Sequence, residues 1–224
     1  MHLDELPEKS QDYLKTIWAA MEQDNEPATH GAIAKRLGQK PSTASEAIKR
    51  LVKLELVHHE PYGGVTLTAA GNKLAVTLIR RHRLIETFLV EKLGYGWDEI
   101  HDEADRLEHA VTDEFIARID ALLGRPTRDP HGDPIPDADG RLDRISPCDL
   151  SHLKPGECAT IERIDDTDPE LLRYLAGHGV RPGTEITLRD APYNGMQLLD
   201  VDGVEVPLAD SSIAAINIVH AGHP

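Results

Sequence analysis

The sequence predicts a mainly α-helical chain whose last third forms β structure. Three observations lead to this prediction. Apolar residues recur at helical spacing as far as residue 123, and the stretch 125–147 is rich in Pro, Gly and Asp. From about residue 150 the pattern changes to short apolar runs separated by glycines. The length leaves room for two or three compact cores, so we expect domains over 1–74, 75–145 and 146–224.

The first 74 residues predict three helices followed by a β-hairpin. The first helix has Ser10 as its N-cap, the second covers about 29–38, and the third covers about 42–54. Two apolar runs within 56–68 flank a turn at 62–64 and predict the hairpin. This order of elements is typical of a winged helix-turn-helix domain.

The third helix has side chains that suit a DNA groove. Small hydroxyl groups lie near its start and cations lie further along, and these are Thr43, Ser45, Lys49, Arg50 and Lys53. Small polar side chains let a helix enter the major groove, while Lys and Arg bind phosphates. A domain of this kind could alternatively bind protein.

Two long helices are predicted next. The first runs from about 71 to 93, and the second runs from about 98 to 123 and is closed by Gly124. Residues 125–147 are expected to form an extended linker with little packing capacity. Beyond it, strands are predicted over 158–164, 185–189, 196–201 and 213–219, with a helical segment from Pro169 to Gly177. Short strands with glycine-rich turns indicate a small β-barrel.

The net charge of −15 is distributed unevenly. Residues 1–75 carry nine Lys/Arg against ten Asp/Glu, residues 76–145 carry ten against 16, and residues 146–224 carry five against 13. A near-neutral first third with basic residues on one face is compatible with nucleic-acid binding. The acidity of the last third is equally well explained as a solubilising surface.

Composition also bears on location. No apolar run is long enough to cross a membrane, and the N-terminus is polar and acidic. The two cysteines, Cys148 and Cys158, are too few for a disulfide scaffold or a thiolate metal cage. We therefore expect a protein of the reducing cytoplasm that has no membrane partner.

One face of the helix predicted over 98–123 carries two imidazoles and two carboxylates. These are His101, Asp105, Glu108 and His109. At helical spacing they fall within an arc of about 100° that borders the apolar face. Burying such a set is costly unless a divalent cation joins it. His82 and Glu86, four residues apart on the preceding helix, and Asp12 on the first helix could contribute further ligands.

The donors in this set are oxygen and nitrogen without sulfur. They suit Mn²⁺ or Fe²⁺, although affinity alone favours Co²⁺, Ni²⁺, Cu²⁺ and Zn²⁺. Two other functions use the same residues. A metal-dependent hydrolase or oxygenase would need a substrate pocket, and the sequence shows neither a nucleophile elbow nor a phosphate loop. A metal-independent DNA-binding protein would use the acids in salt bridges to Arg80, Arg81 or Arg106.

These residues resemble the diphtheria toxin repressor family of metal-dependent regulators, and most of all its three-domain manganese-responsive members. The matching motifs are Asp12-Tyr13-Leu14, Pro41-Ser-Thr-Ala-Ser-Glu, Arg81-His82-Arg83-Leu-Ile-Glu86, the run 101–109, and Asp129-Pro-His-Gly-Asp-Pro-Ile-Pro136. The likeness covers nearly the whole chain. It implies a winged helix-turn-helix domain, a helical dimerisation and metal-binding domain, and an SH3-like (FeoA-type) small β-barrel.

The resemblance implies two metal ions per subunit. The family's primary activating site falls on Asp12, Asp105, Glu108 and His109. Its ancillary site falls on His82, Glu86 and His101, with help from Asp165, Asp168 or Glu170. Iron-responsive members have Met and Cys where this chain has Asp12 and Asp105, which favours Mn²⁺ over Fe²⁺. Two-domain members have Glu at the position of Lys15, so we expect two separate sites here.

The resemblance also implies a DNA-bound dimer. Base and backbone contacts fall on Thr43, Ser45 and Glu46, with Lys40 and Ser42 at the start of the recognition helix, and phosphate contacts fall on Arg50 and Lys53. A dimer built by the second domain implies a palindromic double-stranded operator. The predicted function is a Mn²⁺- or Fe²⁺-activated repressor of metal homeostasis genes, which has no small-molecule substrate and is not an enzyme.

Overall fold

The computed structural model describes residues 1–24, 27–60, 64–191 and 193–220. The chain divides into two compact units. The first unit consists of Met1–His82, Leu107–Val111 and Pro136–Arg141, and the second consists of Arg83–Arg106, Thr112–Ile135 and Leu142–Pro224. Within the described ranges, no helix is both long and apolar enough to cross a membrane.

The first unit confirms the predicted order of three helices and a hairpin. Its elements are α1 (Glu8–Asp24), α2 (His30–Arg36), α3 (Pro41–Lys53), β1 (Val57–Glu60), β2 (Gly64–Leu67) and the first part of α4 (Ala69–Leu93). The two strands pair antiparallel, with Val57 opposite Leu67. The turn predicted between them falls mostly on residues 61–63, outside the described residues.

Local signals explain where these helices begin. Thr29 caps α2, because its hydroxyl accepts a hydrogen bond from the Ala32 amide at 3.1 Å. Pro41 occupies the first turn of α3, where a missing N–H costs nothing. Helix α1 begins before the predicted cap at Ser10, since the Pro7 carbonyl already accepts from the Ser10 amide at 2.7 Å.

The apolar faces of α1 and α3 form the core of the first unit. Tyr13, Leu14 and Ile17 of α1 and Ile48 and Leu51 of α3 are all buried. This packing fixes α3, the predicted recognition helix, on the supporting helix α1.

The single helix predicted over 98–123 is wrong. The chain forms two helices instead, α5 (His101–Leu107) and α6 (Asp113–Leu122). Thr112 begins the second helix, because its hydroxyl accepts from the Phe115 amide at 3.2 Å. Glu108 and His109 therefore lie in the turn after α5, rather than on a continuous helix face with His101.

The second unit contains a five-stranded antiparallel sheet in the order β6-β5-β4-β3-β7. Its elements are β3 (Cys158–Ile164), α7 (Pro169–Gly177), β4 (Glu185–Arg189), β5 (Met196–Val201), β6 (Val204–Ala209) and β7 (Ile216–His220). Strand β6 was not predicted because it contains Pro207, which lowers strand propensity but is tolerated at a sheet edge. The last strand starts at Ile216, since a 3₁₀ turn occupies Asp210–Ala215.

The segment predicted as a loosely packed linker is buried over its first part, which corrects that prediction. Asp129, His131 and Asp133 are all nearly inaccessible to solvent. The Asp129 carboxylate accepts hydrogen bonds from the amides of His131 and Asp133, each at 2.9 Å. The Ile164 amide of β3 donates to the His131 carbonyl at 2.8 Å. A methyl group on Gly132 would lie 2.1 Å from a backbone oxygen of β3, so only glycine fits this approach.

Candidate metal sites and nucleic-acid interface

Three predicted ligands converge within the first unit. Asp12 projects from α1, and Glu108 and His109 follow α5. His109 Nε2 lies 2.9 Å from Asp12 Oδ1 and 3.6 Å from Glu108 Oε1. One donor atom from each of the three residues lies within 4.8 Å of the others. We call this group the first cluster.

The carboxylate of Glu108 is the most deeply buried group of the first cluster, at 1% exposure. Lys15 Nζ lies 3.0 and 2.8 Å from its two oxygens, and His82 Nδ1 lies 2.5 Å from Oε2. The Lys15 ammonium also contacts His82 Nδ1 at 2.9 Å. Glu108 is thus surrounded by groups that compensate a buried negative charge.

The imidazole of His109 is oriented by α1. Its Nδ1 lies 3.0 Å from the Gln11 side-chain oxygen, while its Nε2 faces Asp12. The hydrogen bond to Asp12 raises the pKa of His109, against the opposing effect of burial. Two carboxylates and one imidazole form a donor set that fits a divalent cation.

A second cluster lies entirely within the second unit and consists of Glu86, His131 and Asp166. One donor atom from each lies within 4.8 Å of the others. Glu86 and His131 are each 1% exposed. Glu86 belongs to α4, His131 to the buried segment before the sheet, and Asp166 to the loop between β3 and α7.

The hydrogen bonding of His131 leaves one nitrogen available to this second cluster. His131 Nε2 lies 2.7 Å from the Trp97 carbonyl, which can only accept, so Nε2 carries the proton. In the neutral imidazole Nδ1 then has a lone pair, and it is buried without a hydrogen-bond partner among the described residues. A buried imidazole with an unused lone pair, grouped with two carboxylates, is suited to a metal ion. The second cluster therefore also fits a divalent cation.

His101 lies beside the second cluster. Its Nδ1 is 3.3 Å from Asp166 Oδ2 and 3.5 Å from Glu86 Oε1. The hydrogen bond to Asp166, followed by that to Glu86, raises the pKa of His101 to about 10. Burial would raise the pKa of Asp166, but the hydrogen bond from His101 prevails and lowers it to about 2. His101 is therefore cationic at neutral pH in this arrangement.

The other predicted ligands have different surroundings. His82 Nδ1 lies 2.5 Å from Glu108 Oε2, whereas His101 Nδ1 lies close to both Glu86 and Asp166. Asp105, on α5 in the second unit, lies 3.8 Å from His101 Nε2 and is about half exposed.

The predicted C-terminal ligands, Asp165 and Asp168, accept hydrogen bonds from backbone amides two or three residues further along the chain. Asp168 caps α7 by accepting from the Glu170 and Leu171 amides at 3.0 and 3.1 Å. Asp165 accepts from the Thr167 amide at 3.0 Å. The carboxylate next to His101 is Asp166 instead.

Sequence reasoning missed two members of the second cluster, His131 and Asp166. His131 stands within the motif 129–136, which was recognised only as part of the resemblance. Asp166 belongs to an acidic run, 165–168, in which the three aspartates cannot be distinguished by residue type. Only their different hydrogen bonds separate them.

The predicted DNA-contacting residues lie on α3 and on Lys40, the residue just before it. Seven of the eight are exposed, and Ser45 is half-buried; the exposed ones are Lys40, Ser42, Thr43, Glu46, Lys49, Arg50 and Lys53. Glu46 and Lys49 form a surface ion pair at 2.9 Å. A cleft between α1 and α3 is lined in part by Lys9, Lys40 and Arg50. These cations give the face a charge that suits phosphates.

Comparison with known proteins agrees with this arrangement. The family model described as the iron dependent repressor N-terminal DNA binding domain matches residues 5–65. The model for the iron dependent repressor metal binding and dimerisation domain matches residues 68–137, and the FeoA domain model matches residues 148–220.

Individual relatives match almost end to end. The diphtheria toxin repressor of Corynebacterium efficiens is 31% identical, over 96% of this chain and 97% of its own. A solved manganese-dependent transcriptional repressor in complex with manganese is 45% identical with a TM-score of 0.87, covering 95% of this chain and 100% of its own. ScaR with bound Zn²⁺ is 35% identical with a TM-score of 0.77, covering 95% and 99%. The chain therefore belongs to the diphtheria toxin repressor family, whose members are metal-dependent transcriptional repressors and not enzymes.

Proposed function

We propose that this repressor is activated by Mn²⁺ and binds a palindromic operator as a homodimer. The observation that carries the proposal is the first cluster, whose donors are oxygen and nitrogen and include the buried Glu108. Sulfur-free donors suit Mn²⁺. The relative at 45% identity is described as manganese-dependent. Fe²⁺ is the second candidate, because the relative from Mycobacterium bovis is described as the iron-dependent repressor IdeR.

We assign two cations to each chain. The first would be held by Asp12, Glu108 and His109. The second would be held by Glu86, His131 and Asp166, beside His101. His82 is assigned to the support of Glu108, on the strength of their contact at 2.5 Å.

The first cluster connects the metal to DNA binding through α1. Asp12 belongs to α1, whereas Glu108 and His109 come from a distant part of the chain. A bound cation would supply the charge that holds these carboxylates together. Because the buried faces of α1 and α3 share one core, fixing Asp12 also fixes the recognition helix.

We further propose that each of three domains has its own function. Residues 1–74 bind DNA, residues 75–145 form the dimer and supply most metal ligands, and residues 146–224 form the SH3-like domain, which provides Asp166. The site of action would be the cytoplasm, where a repressor meets its operator.

The proposal is tested by operator binding at fixed ionic strength. A duplex is first selected from a random library by the full-length protein with Mn²⁺. Fluorescence anisotropy then measures its affinity with Mn²⁺, with Fe²⁺ under anaerobic conditions, and with EDTA. Tight binding with Mn²⁺ that is lost with EDTA supports the proposal. Equal affinity in EDTA would show that metal does not control DNA binding, and tighter binding with Fe²⁺ would identify an iron sensor.

A further inference from the structure

We propose that Lys15 is an internal cation that competes with the metal ion for Glu108 and thereby sets the metal concentration at which the first cluster fills. This inference rests on the proposed assignment of Asp12, Glu108 and His109 as metal ligands. It concerns a residue that none of the ligand assignments includes.

The contacts of Lys15 place it at the oxygens that a metal would use. Its Nζ lies 3.0 Å from Glu108 Oε1 and 2.8 Å from Oε2, so the ammonium engages both. The same nitrogen lies 2.9 Å from His82 Nδ1. The side chain of Lys15 is 17% exposed and that of Glu108 is 1% exposed.

Burial of Glu108 raises the energetic cost of leaving its carboxylate without a positive partner. A carboxylate as buried as Glu108 needs a positive partner, because desolvating an unpaired charge is expensive. An ammonium group and a divalent cation can each supply that charge. They cannot both take the same oxygen lone pairs at close range, since two cations would then repel each other across one carboxylate.

The position of Lys15 on α1 allows it to withdraw. Lys15 follows Asp12 by three residues, so the two side chains lie on the same face of the helix, one turn apart. Lysine is a compact charge on a flexible four-carbon stem, and the side chain of Lys15 is partly exposed. Metal binding would therefore release Lys15 from Glu108 while Asp12, on the same helix, gains a ligand bond.

Competition of this kind lowers the affinity for metal without removing any ligand. Replacing Lys15 by an uncharged residue should therefore tighten Mn²⁺ binding at the first cluster. We expect about a tenfold decrease in the dissociation constant for Lys15→Gln and Lys15→Met, which equals about 1.4 kcal/mol at 25 °C. Lys15→Arg keeps the charge and should show no such gain.

The affinity is measured by equilibrium dialysis of Mn²⁺ against the full-length protein. Both the reference and the Lys15 variants carry His131→Gln, which disables the second cluster so that one site is observed. Lys73→Gln, an exposed position on α4, is the control for the loss of one positive charge and should change the affinity less than twofold. Unchanged or weaker Mn²⁺ binding by both Lys15→Gln and Lys15→Met overturns the inference.

A second measurement needs no variant. Reductive methylation followed by mass spectrometry reports how accessible each lysine amine is in the wild-type protein. Lys15 should be protected without Mn²⁺ and become labelled when Mn²⁺ is added, while labelling of Lys73 stays constant. Equal labelling of Lys15 in both conditions contradicts competition.

The outcomes separate the inference from the function on which it rests. If the His131→Gln protein binds no Mn²⁺, and adding Lys15→Gln does not restore binding, the assignment of the first cluster fails and the inference fails with it. If the His131→Gln protein binds Mn²⁺ with an affinity that Lys15 variants do not change, only the inference fails.

Discussion

At the scale of single residues, the metal assignments depend on buried polar atoms whose surroundings differ. Glu108 is compensated by Lys15 and His82, whereas His131 presents a buried Nδ1 that has no hydrogen-bond partner among the described residues. The first situation describes a carboxylate that already has a cation beside it. The second describes a buried lone pair that none of the described residues satisfies. The two clusters should therefore respond differently to substitution.

Removing the charge of Glu108 should abolish the first site. Glu108→Gln keeps the shape of the side chain but removes the anionic ligand, so we expect the affinity for Mn²⁺ to fall by at least about 100-fold, more than is typical of outer-shell changes. Equilibrium dialysis in the His131→Gln background measures this loss. Glu103→Gln, which removes a carboxylate from a surface pair with Arg106, is the control. Retention of tight binding by Glu108→Gln would exclude this residue as a ligand.

Asp166 should decide whether the second cluster is filled. Asp166→Asn removes a charged ligand, so the metal content should fall by one Mn²⁺ per chain, as measured by elemental analysis after dialysis. Without metal, the pKa of His101 should fall from about 10, because Asp166 makes the largest contribution that raises it. Histidine NMR titration follows that pKa. Asp190→Asn, on the exposed surface, should leave the Mn²⁺ content and the pKa of His101 unchanged. If Asp166→Asn also leaves both unchanged, Asp166 is not a ligand in the second cluster.

At the scale of elements, one close approach of the backbone positions α4, the helix that carries His82. A methyl group on Gly71, in the first turn of α4, would lie 1.9 Å from the Leu56 carbonyl oxygen. The same carbonyl accepts a hydrogen bond from the Thr68 amide at 3.0 Å. Helix α4 is therefore fixed against the start of the hairpin at a distance that excludes any side chain. His82, further along the same helix, depends on this placement for its contact with Glu108.

Gly71→Ala should destabilise the protein by about 1–3 kcal/mol, because the added methyl group forces a backbone shift. Gly31→Ala is a matched control, since this glycine lies in α2 with nothing within 4 Å of an added methyl group. It should raise stability by about 0.5–1 kcal/mol through its higher helix propensity. Urea unfolding without metal measures both changes. Equal stabilities of the two variants would show that the Leu56 contact has no energetic consequence.

The recognition helix should contact DNA phosphates through Arg50. Arg50→Gln should weaken operator binding at all salt concentrations and reduce the slope of log affinity against log salt by about one. Fluorescence anisotropy with saturating Mn²⁺, over a series of salt concentrations, gives the slope. Arg118→Gln, which breaks a surface pair with Glu114 on α6, should leave the slope unchanged. An unaltered slope for Arg50→Gln would place Arg50 outside the interface.

At the scale of the whole molecule, a metal-dependent repressor couples two equilibria, the binding of metal and the binding of DNA. If Mn²⁺ activates the repressor as proposed, operator must tighten Mn²⁺ binding by the same factor by which Mn²⁺ tightens operator binding. A coupling of about 1–3 kcal/mol corresponds to about 5–150-fold. This relation holds whatever structural path carries the coupling.

The reciprocal effect is measurable by electron paramagnetic resonance of free Mn²⁺. The dissociation constant of Mn²⁺ should decrease when the selected operator duplex is added, by the factor found from DNA titrations. A duplex of scrambled sequence at the same concentration is the control for nonspecific binding. If the operator leaves the Mn²⁺ affinity unchanged, metal and DNA bind independently, and the protein is not a metal-switched repressor.

The sequence by itself determined the order of the elements in the first unit, because helical periodicity, Thr29 and Pro41 act locally. It also identified Asp12, Glu108 and His109, which the structure brings within 4.8 Å of one another. These residue types are recognisable since carboxylates and imidazoles at a core boundary are costly without a partner.

Only the tertiary structure decided which acids and imidazoles share a cluster. Asp165, Asp166 and Asp168 are equivalent in sequence, but two of them bind backbone amides nearby, and this leaves Asp166 next to His101. His131 lies in a segment whose composition predicts a loose linker, yet contact with β3 buries it. The pairing of Lys15 with Glu108 joins residues 93 positions apart. Such contacts depend on the packing of distant segments, which local periodicity does not specify.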